Sequence, residues 1–177
     1  LIFMQTKRLK EKLEGGASFV VVAELVGGPN FSFKPIDTFL KDYQTSGKSA
    51  IPDGFDFVGV TLPENPSGIA NIRPSDIISH VKLNELSSEL DFVPHITCKD
   101  ANRDSLISSL VGFKKASIES ILVLTGDKPA RSKGVFELDS MGLLELVKDM
   151  NNQAYIKAEP EQLGNVHQFF AGASPRS

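Results

Sequence analysis

Five short apolar runs alternate along the chain with segments in which apolar and polar positions follow helical spacing. The runs are nearly continuous and rich in β-branched residues, which is typical of strands buried on both faces. We predict strands at residues 19–25, 55–61, 92–97, 121–124 and 169–173. The segments before and between them predict amphipathic helices at residues 1–13, 35–43, 74–86, 103–115 and 138–149.

The alternation of strands and helices determines the fold class. Parallel neighbours can be joined only by a long crossover, so this order predicts an α/β protein with a parallel sheet. Five strands fit either an open doubly wound sheet or a little over half of a (β/α)8 TIM barrel. A G-x-G-x-x-G turn does not follow the first strand, which disfavours a dinucleotide-binding sheet. We interpret residues 1–177 as a single domain of catalytic type.

Composition excludes several classes of protein. The chain is 41% hydrophobic and 23% charged with a net charge of -3, which describes an ordinary globular protein. No apolar run approaches the roughly 20 residues that cross a bilayer, and the scattered Lys and Arg residues form no nucleic-acid-binding stripe. The single cysteine, Cys98, has no thiol neighbour with which to bind a metal. Because the opening apolar residues 1–4 are too few for a signal peptide, we expect a cytoplasmic protein.

Titratable residues stand at the carboxyl ends of the predicted strands. Glu24 ends the first strand, His95 lies in the third, and Asp127 follows the fourth. The carboxyl ends of barrel strands share one rim, where such folds carry their chemistry, so the pattern favours an enzyme. The alternatives are ordinary structural roles: Glu24 capping a helix or pairing with a lysine, His95 as a hydrogen-bonded core residue, and Asp127 as a turn residue.

Three motifs in order carry a resemblance to a known family. They are Val22-Ala23-Glu24-Leu25, the segment from His95 to Arg103, and Leu124-Thr125-Gly126-Asp127-Lys128-Pro129. Together they resemble the methylenetetrahydrofolate reductase family, which comprises flavin enzymes built on a (β/α)8 barrel. The resemblance extends roughly over residues 19–173.

The resemblance implies FAD-dependent reduction of 5,10-methylenetetrahydrofolate to 5-methyltetrahydrofolate in one-carbon metabolism, with NADH or NADPH as electron donor. Glu24 matches the acid that promotes protonation of the folate, which requires desolvation of its carboxyl group. Asp127 matches the ionised carboxylate that tunes the flavin and stabilises the cationic intermediate. The resemblance implies a cofactor-binding set made of Thr61, His95, Leu124, Thr125, Gly126, Asp127, Gly172 and Ala173.

The number of strands leaves other functions open. A family barrel has eight strands and this chain supplies about five, so we expect an incomplete barrel that belongs to a longer chain, a homo-oligomer or a larger complex. The alternatives are a folate-binding methyltransferase-type module and a non-catalytic partner subunit, both without flavin. We also expect Cys98 to be buried and inert, Asn102 to cap a helix, and His80 and His167 to be surface residues.

Overall fold

A computed structural model of the chain describes residues 8–16, 18–47, 51–86, 89–129, 131, 133–152 and 170–173. The strands are β1 (Phe19–Glu24), β2 (Phe55–Leu62), β3 (Asp91–Thr97), β4 (Ser120–Leu124) and β5 (Phe170–Ala173). The helices are α1 (Arg8–Gly15), α2 (Lys34–Ser46), α3 (Pro74–Leu83), α4 (Arg103–Lys115) and α5 (Ser140–Asn151). The order of the predicted elements is confirmed. None of the helices in the described ranges has the length and apolar composition needed to span a bilayer.

Local capping explains where two of the crossover helices begin. Asn102 accepts a hydrogen bond from the Ser105 N–H at 2.9 Å at the start of α4, and Asp139 accepts one from the Gly142 N–H at 2.9 Å at the start of α5. Each side chain satisfies a backbone donor that the first helical turn leaves unpaired. The predicted capping role of Asn102 is therefore confirmed.

The sheet distinguishes between the two predicted architectures. Its strands are all parallel and follow one another in the order β1-β2-β3-β4-β5. A doubly wound sheet reverses its strand order at a switch point and carries helices on both faces. Here α2, α3, α4 and α5 all contribute to one core on one face of the sheet. Sequential strands with their helices on a single face form the arrangement of a (β/α)8 barrel.

The other face of the sheet, which we call the inner face, is closed at the amino-terminal end of the strands. Leu9 of α1 packs there with Val58 and Val93, and Val20 and Leu122 flank them. The Asp91 carboxylate accepts a hydrogen bond from the Leu9 N–H at 2.7 Å and fixes the first turn of α1. The carboxyl-terminal half of the inner face is therefore the part available to a ligand.

A β-bulge in β2 determines which side chains lie on the carboxyl-terminal half of the inner face. Val21 pairs with Phe57 and Val22 pairs with Gly59, so Val58 is the extra residue. Side chains of a strand alternate between faces, and an extra residue shifts the alternation beyond it. Val60 therefore packs in the helix-side core, and Thr61 lies in register with Val93 of the inner face.

The structure tests the expectations for Cys98 and His80. Cys98 is fully buried, and burial together with the charge of Asp139 raises the pKa of its thiol to about 11, as expected for an inert cysteine. His80 is half-buried and stacks on Phe33 with ring centroids 4.1 Å apart, so the expectation of a simple surface residue was wrong. His167 lies outside the described residues.

Candidate functional site

Four of the residues predicted from the strand ends share the inner face. Glu24 pairs in register with Thr61, and Thr61 pairs with Val93. His95 lies two residues beyond Val93 on the same strand, and Leu124 lies two residues beyond Leu122, so both keep the inner orientation. The fold thus brings these side chains onto one surface at the carboxyl ends of β1 to β4.

His95 is the most distinctive group on this surface. The residue is only 8% exposed, and its Nε2 atom has no hydrogen-bond partner among the described residues. Burial lowers the pKa of the imidazole to about 4, so the ring is neutral at physiological pH. A buried polar atom without a partner destabilises the protein by about 1–3 kcal/mol. A ligand that supplies a hydrogen bond to Nε2 removes this penalty.

Glu24 lies at the end of β1 and is exposed in the described structure. A proton-donating acid needs a desolvated carboxyl group, and the described residues around Glu24 do not bury it. It pairs in register with Thr61 on β2, the strand that separates it from His95 on β3.

Thr125 and Gly126, directly after β4, lie against two different elements. The Thr125 hydroxyl accepts a hydrogen bond from the Ser140 N–H at 3.2 Å and so holds the first turn of α5. Gly126 has a φ of +98°, which favours glycine, and a Cβ there would lie 2.8 Å from the Lys99 Cβ and 3.2 Å from the Thr97 Cβ. The close approach that requires glycine at this position is thus made to the end of β3.

Asp127 is exposed, and a loop from another strand holds its carboxylate. Its Oδ2 atom accepts a hydrogen bond from the Ser67 N–H at 2.9 Å. Ser67 belongs to the loop after β2 and has a φ of +57°. The neighbouring Gly68 touches the Lys128 carbonyl so closely that a Cβ there would collide with it. The β2–α3 loop therefore passes beside the end of β3 and contacts the segment after β4.

Glu64, in the same loop, was not singled out by the sequence analysis. Its Oε2 atom accepts hydrogen bonds from the Thr97 N–H at 3.0 Å and from the Thr97 hydroxyl at 2.8 Å. Thr97 is 6% exposed and lies two residues beyond His95 on β3. An acid directly after a buried strand, as at Glu24, is the sequence signal that could have drawn attention to Glu64.

Acidic residues stand at several strand ends. Glu24, Glu64 and Asp127 lie at or just beyond the ends of β1, β2 and β4. Lysines stand there too: Lys128 follows Asp127 directly, and the Lys99 side chain, just beyond β3, is 6% exposed with its Nζ atom 3.7 Å from Asp100 Oδ2. The rim therefore carries both signs of charge.

Comparisons with known proteins identify the family. The family model described as methylenetetrahydrofolate reductase matches residues 50–161, which is more than half of the chain. The chain belongs to the methylenetetrahydrofolate reductase family. A curated relative, the 5,10-methylenetetrahydrofolate reductase of Salmonella typhimurium strain LT2, is 34% identical over 109 residues, which cover 59% of this chain and 35% of the relative. The chain therefore spans about a third of the length of that methylenetetrahydrofolate reductase.

The family match covers part of the predicted site. Thr61, His95 and the segment Leu124 to Asp127 lie within residues 50–161. Glu24, Gly172 and Ala173 lie outside it. In the sheet, Gly172 pairs with Leu122 and Ala173 pairs with Val123, so β5 continues the sheet beside β4. The matched range therefore includes the predicted residues on β2, on β3 and at the end of β4, and leaves out those on β1 and β5.

A separate cleft of the described structure lies along α2 and the β1–α2 loop. Pro29, Lys34 and Phe39 are among the residues that line it. It contains none of the predicted site residues, so it does not bear on the rim where the strand-end carboxylates and His95 meet.

Proposed function

We propose that the protein takes part in the reduction of 5,10-methylenetetrahydrofolate to 5-methyltetrahydrofolate, with FAD as its cofactor and NADH or NADPH as electron donor. The observation that carries this proposal is His95, a buried neutral imidazole on the inner face whose Nε2 atom lacks a partner. Membership of the methylenetetrahydrofolate reductase family supports the choice of substrate.

The residues present fit a flavin. The carboxyl-terminal half of the inner face bears, besides Glu24, the small polar side chains of Thr61 and Thr97, the buried ring of His95 and the apolar side chain of Leu124. Binding sites for flat cofactors orient the ring system with a few placed polar groups of this kind. We assign Thr61, His95 and Leu124 to flavin binding, together with Thr125, Gly126, Asp127, Gly172 and Ala173. FAD, when bound, supplies the hydride chemistry.

Two carboxylates have different roles in this proposal. Glu24 assists protonation of the folate nitrogen, which opens the five-membered ring to an electrophilic iminium ion. The Asp127 carboxylate stabilises that cation, in a position maintained by the Ser67 N–H. The iminium carbon accepts one hydride and becomes the methyl group, so one nicotinamide is oxidised and one proton is consumed for each folate reduced.

An absorption spectrum of the full-length protein tests the proposal. We expect flavin bands after purification or after addition of FAD, bleaching of these bands by NADH or NADPH under anaerobic conditions, and their recovery when methylenetetrahydrofolate is added. A protein that binds methylenetetrahydrofolate but no FAD would support the flavin-free folate-binding module instead. Bleaching without recovery would show that the folate is not the acceptor.

A further inference from the structure

The end of β3 lacks a strand partner on one side. Pairing between β2 and β3 ends at Leu62 and Pro94, whereas β3 continues to pair with β4 through Thr97. The two strands therefore separate at the level of His95. The Thr97 N–H lies beyond the last β2 partner and needs another acceptor, because a buried N–H without one is destabilising.

Glu64 supplies that acceptor. One carboxylate oxygen accepts both the N–H and the hydroxyl of Thr97, at 3.0 Å and 2.8 Å. The side chain thus continues the contact between β2 and β3 after the backbone ladder has ended. Both hydrogen bonds are to an ionisable acceptor, which makes them stronger than bonds between neutral groups when the carboxylate is charged.

The same loop also fixes the end of β4. Ser67, three residues after Glu64, donates its N–H to Asp127, and a Cβ at Gly126 would contact the Thr97 side chain. A displacement of Thr97 would therefore move two neighbours: His95, which lies within β3, and Gly126, which follows β4. Glu64 links the β2–α3 loop to Thr97, which lies between these two neighbours.

We propose that Glu64 is a positioning residue, which acts through Thr97 to hold His95 and the adjoining end of β4 in the conformation that binds the flavin. The proposal rests on the flavin-binding role proposed above. Glu64 itself needs no contact with the cofactor for this role. Its effect is on the direction of the His95 ring and on the spacing between β3 and β4.

Three variants of the full-length protein test this role. Glu64→Ala removes the acceptor, Glu64→Gln keeps an acceptor oxygen without the charge, and Thr97→Val removes only the hydroxyl. The matched control is Glu137→Ala, since the Glu137 carboxylate also accepts a backbone N–H, that of Arg103 at 3.1 Å, but at the start of α4. Flavin fluorescence gives the Kd for FAD, and NMR of the His95 ring in flavin-free protein gives its environment.

We expect Glu64→Ala to raise the Kd for FAD by roughly tenfold or more and to shift the His95 ring resonances. Glu64→Gln should retain most of the affinity for FAD and most of the wild-type His95 resonances. Thr97→Val should give values between those of Glu64→Ala and the wild type. Glu137→Ala should lower the melting temperature without changing either property. A merely structural role for Glu64 would instead lower the melting temperature and leave both the His95 resonances and the Kd unchanged in the folded protein.

The outcomes separate this inference from the proposed function. A Glu64→Ala protein that is folded, binds FAD within about twofold of the wild type and has unchanged His95 resonances would overturn the inference. If the wild type binds no FAD, the proposed function fails, and the His95 resonances alone decide whether Glu64 positions the ring. If Glu64→Ala does not fold, Thr97→Val decides by the same two measurements: wild-type values for both the Kd and the His95 resonances would overturn the inference.

Discussion

The Asp127 carboxylate, which follows β4, accepts the backbone N–H of Ser67, which follows β2, at 2.9 Å. The end of β3 lies between these two segments in the sheet. Ser67 is held in the left-handed region with a φ of +57°, a conformation that a non-glycine residue adopts only when its surroundings favour it. The carboxylate proposed to stabilise a cation is therefore itself positioned by a strained loop.

Asp127→Ala should loosen the β2–α3 loop. Removal of the acceptor leaves the Ser67 N–H to solvent, and a net hydrogen-bond contribution of about 1 kcal/mol corresponds to roughly fivefold faster amide exchange. Hydrogen exchange measured at the Ser67 amide by NMR checks this. Asp53→Ala is the control, because Asp53 is exposed and lies before β2, at the opposite end of the sheet. Unchanged exchange at Ser67 would show that the hydrogen bond does not hold the loop.

Gly126→Ala should destabilise the protein by about 1–3 kcal/mol. The added methyl group meets the Lys99 Cβ at 2.8 Å, and alanine does not favour a φ of +98°. Gly112→Ala is the matched control, because a Cβ at Gly112 in α4 meets nothing within 4 Å. Alanine in a helix interior is favoured over glycine by about 1 kcal/mol, so the control should be more stable than the wild type. Urea denaturation gives both values, and a loss of stability in Gly112→Ala would contradict this account.

The buried imidazole of His95 should make stability depend on pH. Burial lowers the pKa of His95 from 6.5 to about 4, so between these values the unfolded chain binds a proton that the native state does not. Stability therefore falls as the pH decreases through this window, by at most about 3 kcal/mol from this group.

Comparison with His95→Gln isolates that contribution, because glutamine does not titrate. The free energy of unfolding is measured for both proteins at pH 7 and at pH 4.5. The change in the free energy of unfolding between pH 7 and pH 4.5 should be smaller in the variant by about 2 kcal/mol. Equal differences in the two proteins would show that His95 does not carry the pH dependence.

His80 should stabilise the contact between α2 and α3. Its Nε2 atom is 2.7 Å from Asp37 Oδ1, and its ring stacks on Phe33. We expect His80→Ala to lower the free energy of unfolding by about 1–2 kcal/mol through lost stacking and a lost hydrogen bond. Ser79→Ala, at an exposed position of the same helix, should change it by less than about 0.5 kcal/mol. A double-mutant cycle with Asp37→Asn measures the coupling between the two side chains, and a coupling of zero would show that their hydrogen bond contributes nothing.

The sequence predicted the elements well because their signals are local. The bounds of α4 agree with the prediction at both ends, and those of β3 and β4 differ by one residue at their starts. Apolar runs and the Asn102 cap lie within the segments that they define, so no distant contact is needed to read them. The ends of α2 and α3 differ most, since α2 ends three residues later and α3 three residues earlier than predicted. The first seven residues of the first predicted helix lie outside the described residues.

The candidate site was predicted only in part. Resemblance to the family and strand-end position identified Thr61, His95 and Asp127, and the fold places each at the carboxyl ends of parallel strands. The inner orientation of Thr61 depends on the bulge at Val58, and no local pattern in the sequence predicts that bulge. Glu64 was missed because its partner, Thr97, is 33 positions away.

The sequence by itself determined the order of strands and helices, the α/β class, and the family to which the strand-end motifs point. Tertiary structure decided between a doubly wound sheet and a barrel arrangement, because only packing shows that the four crossover helices lie on one face. It also decided which side chains meet at the rim, including Ser67 and Asp127, which are 60 positions apart. Local patterns record the burial of a segment, whereas strand register and loop contacts arise only when distant segments pack together.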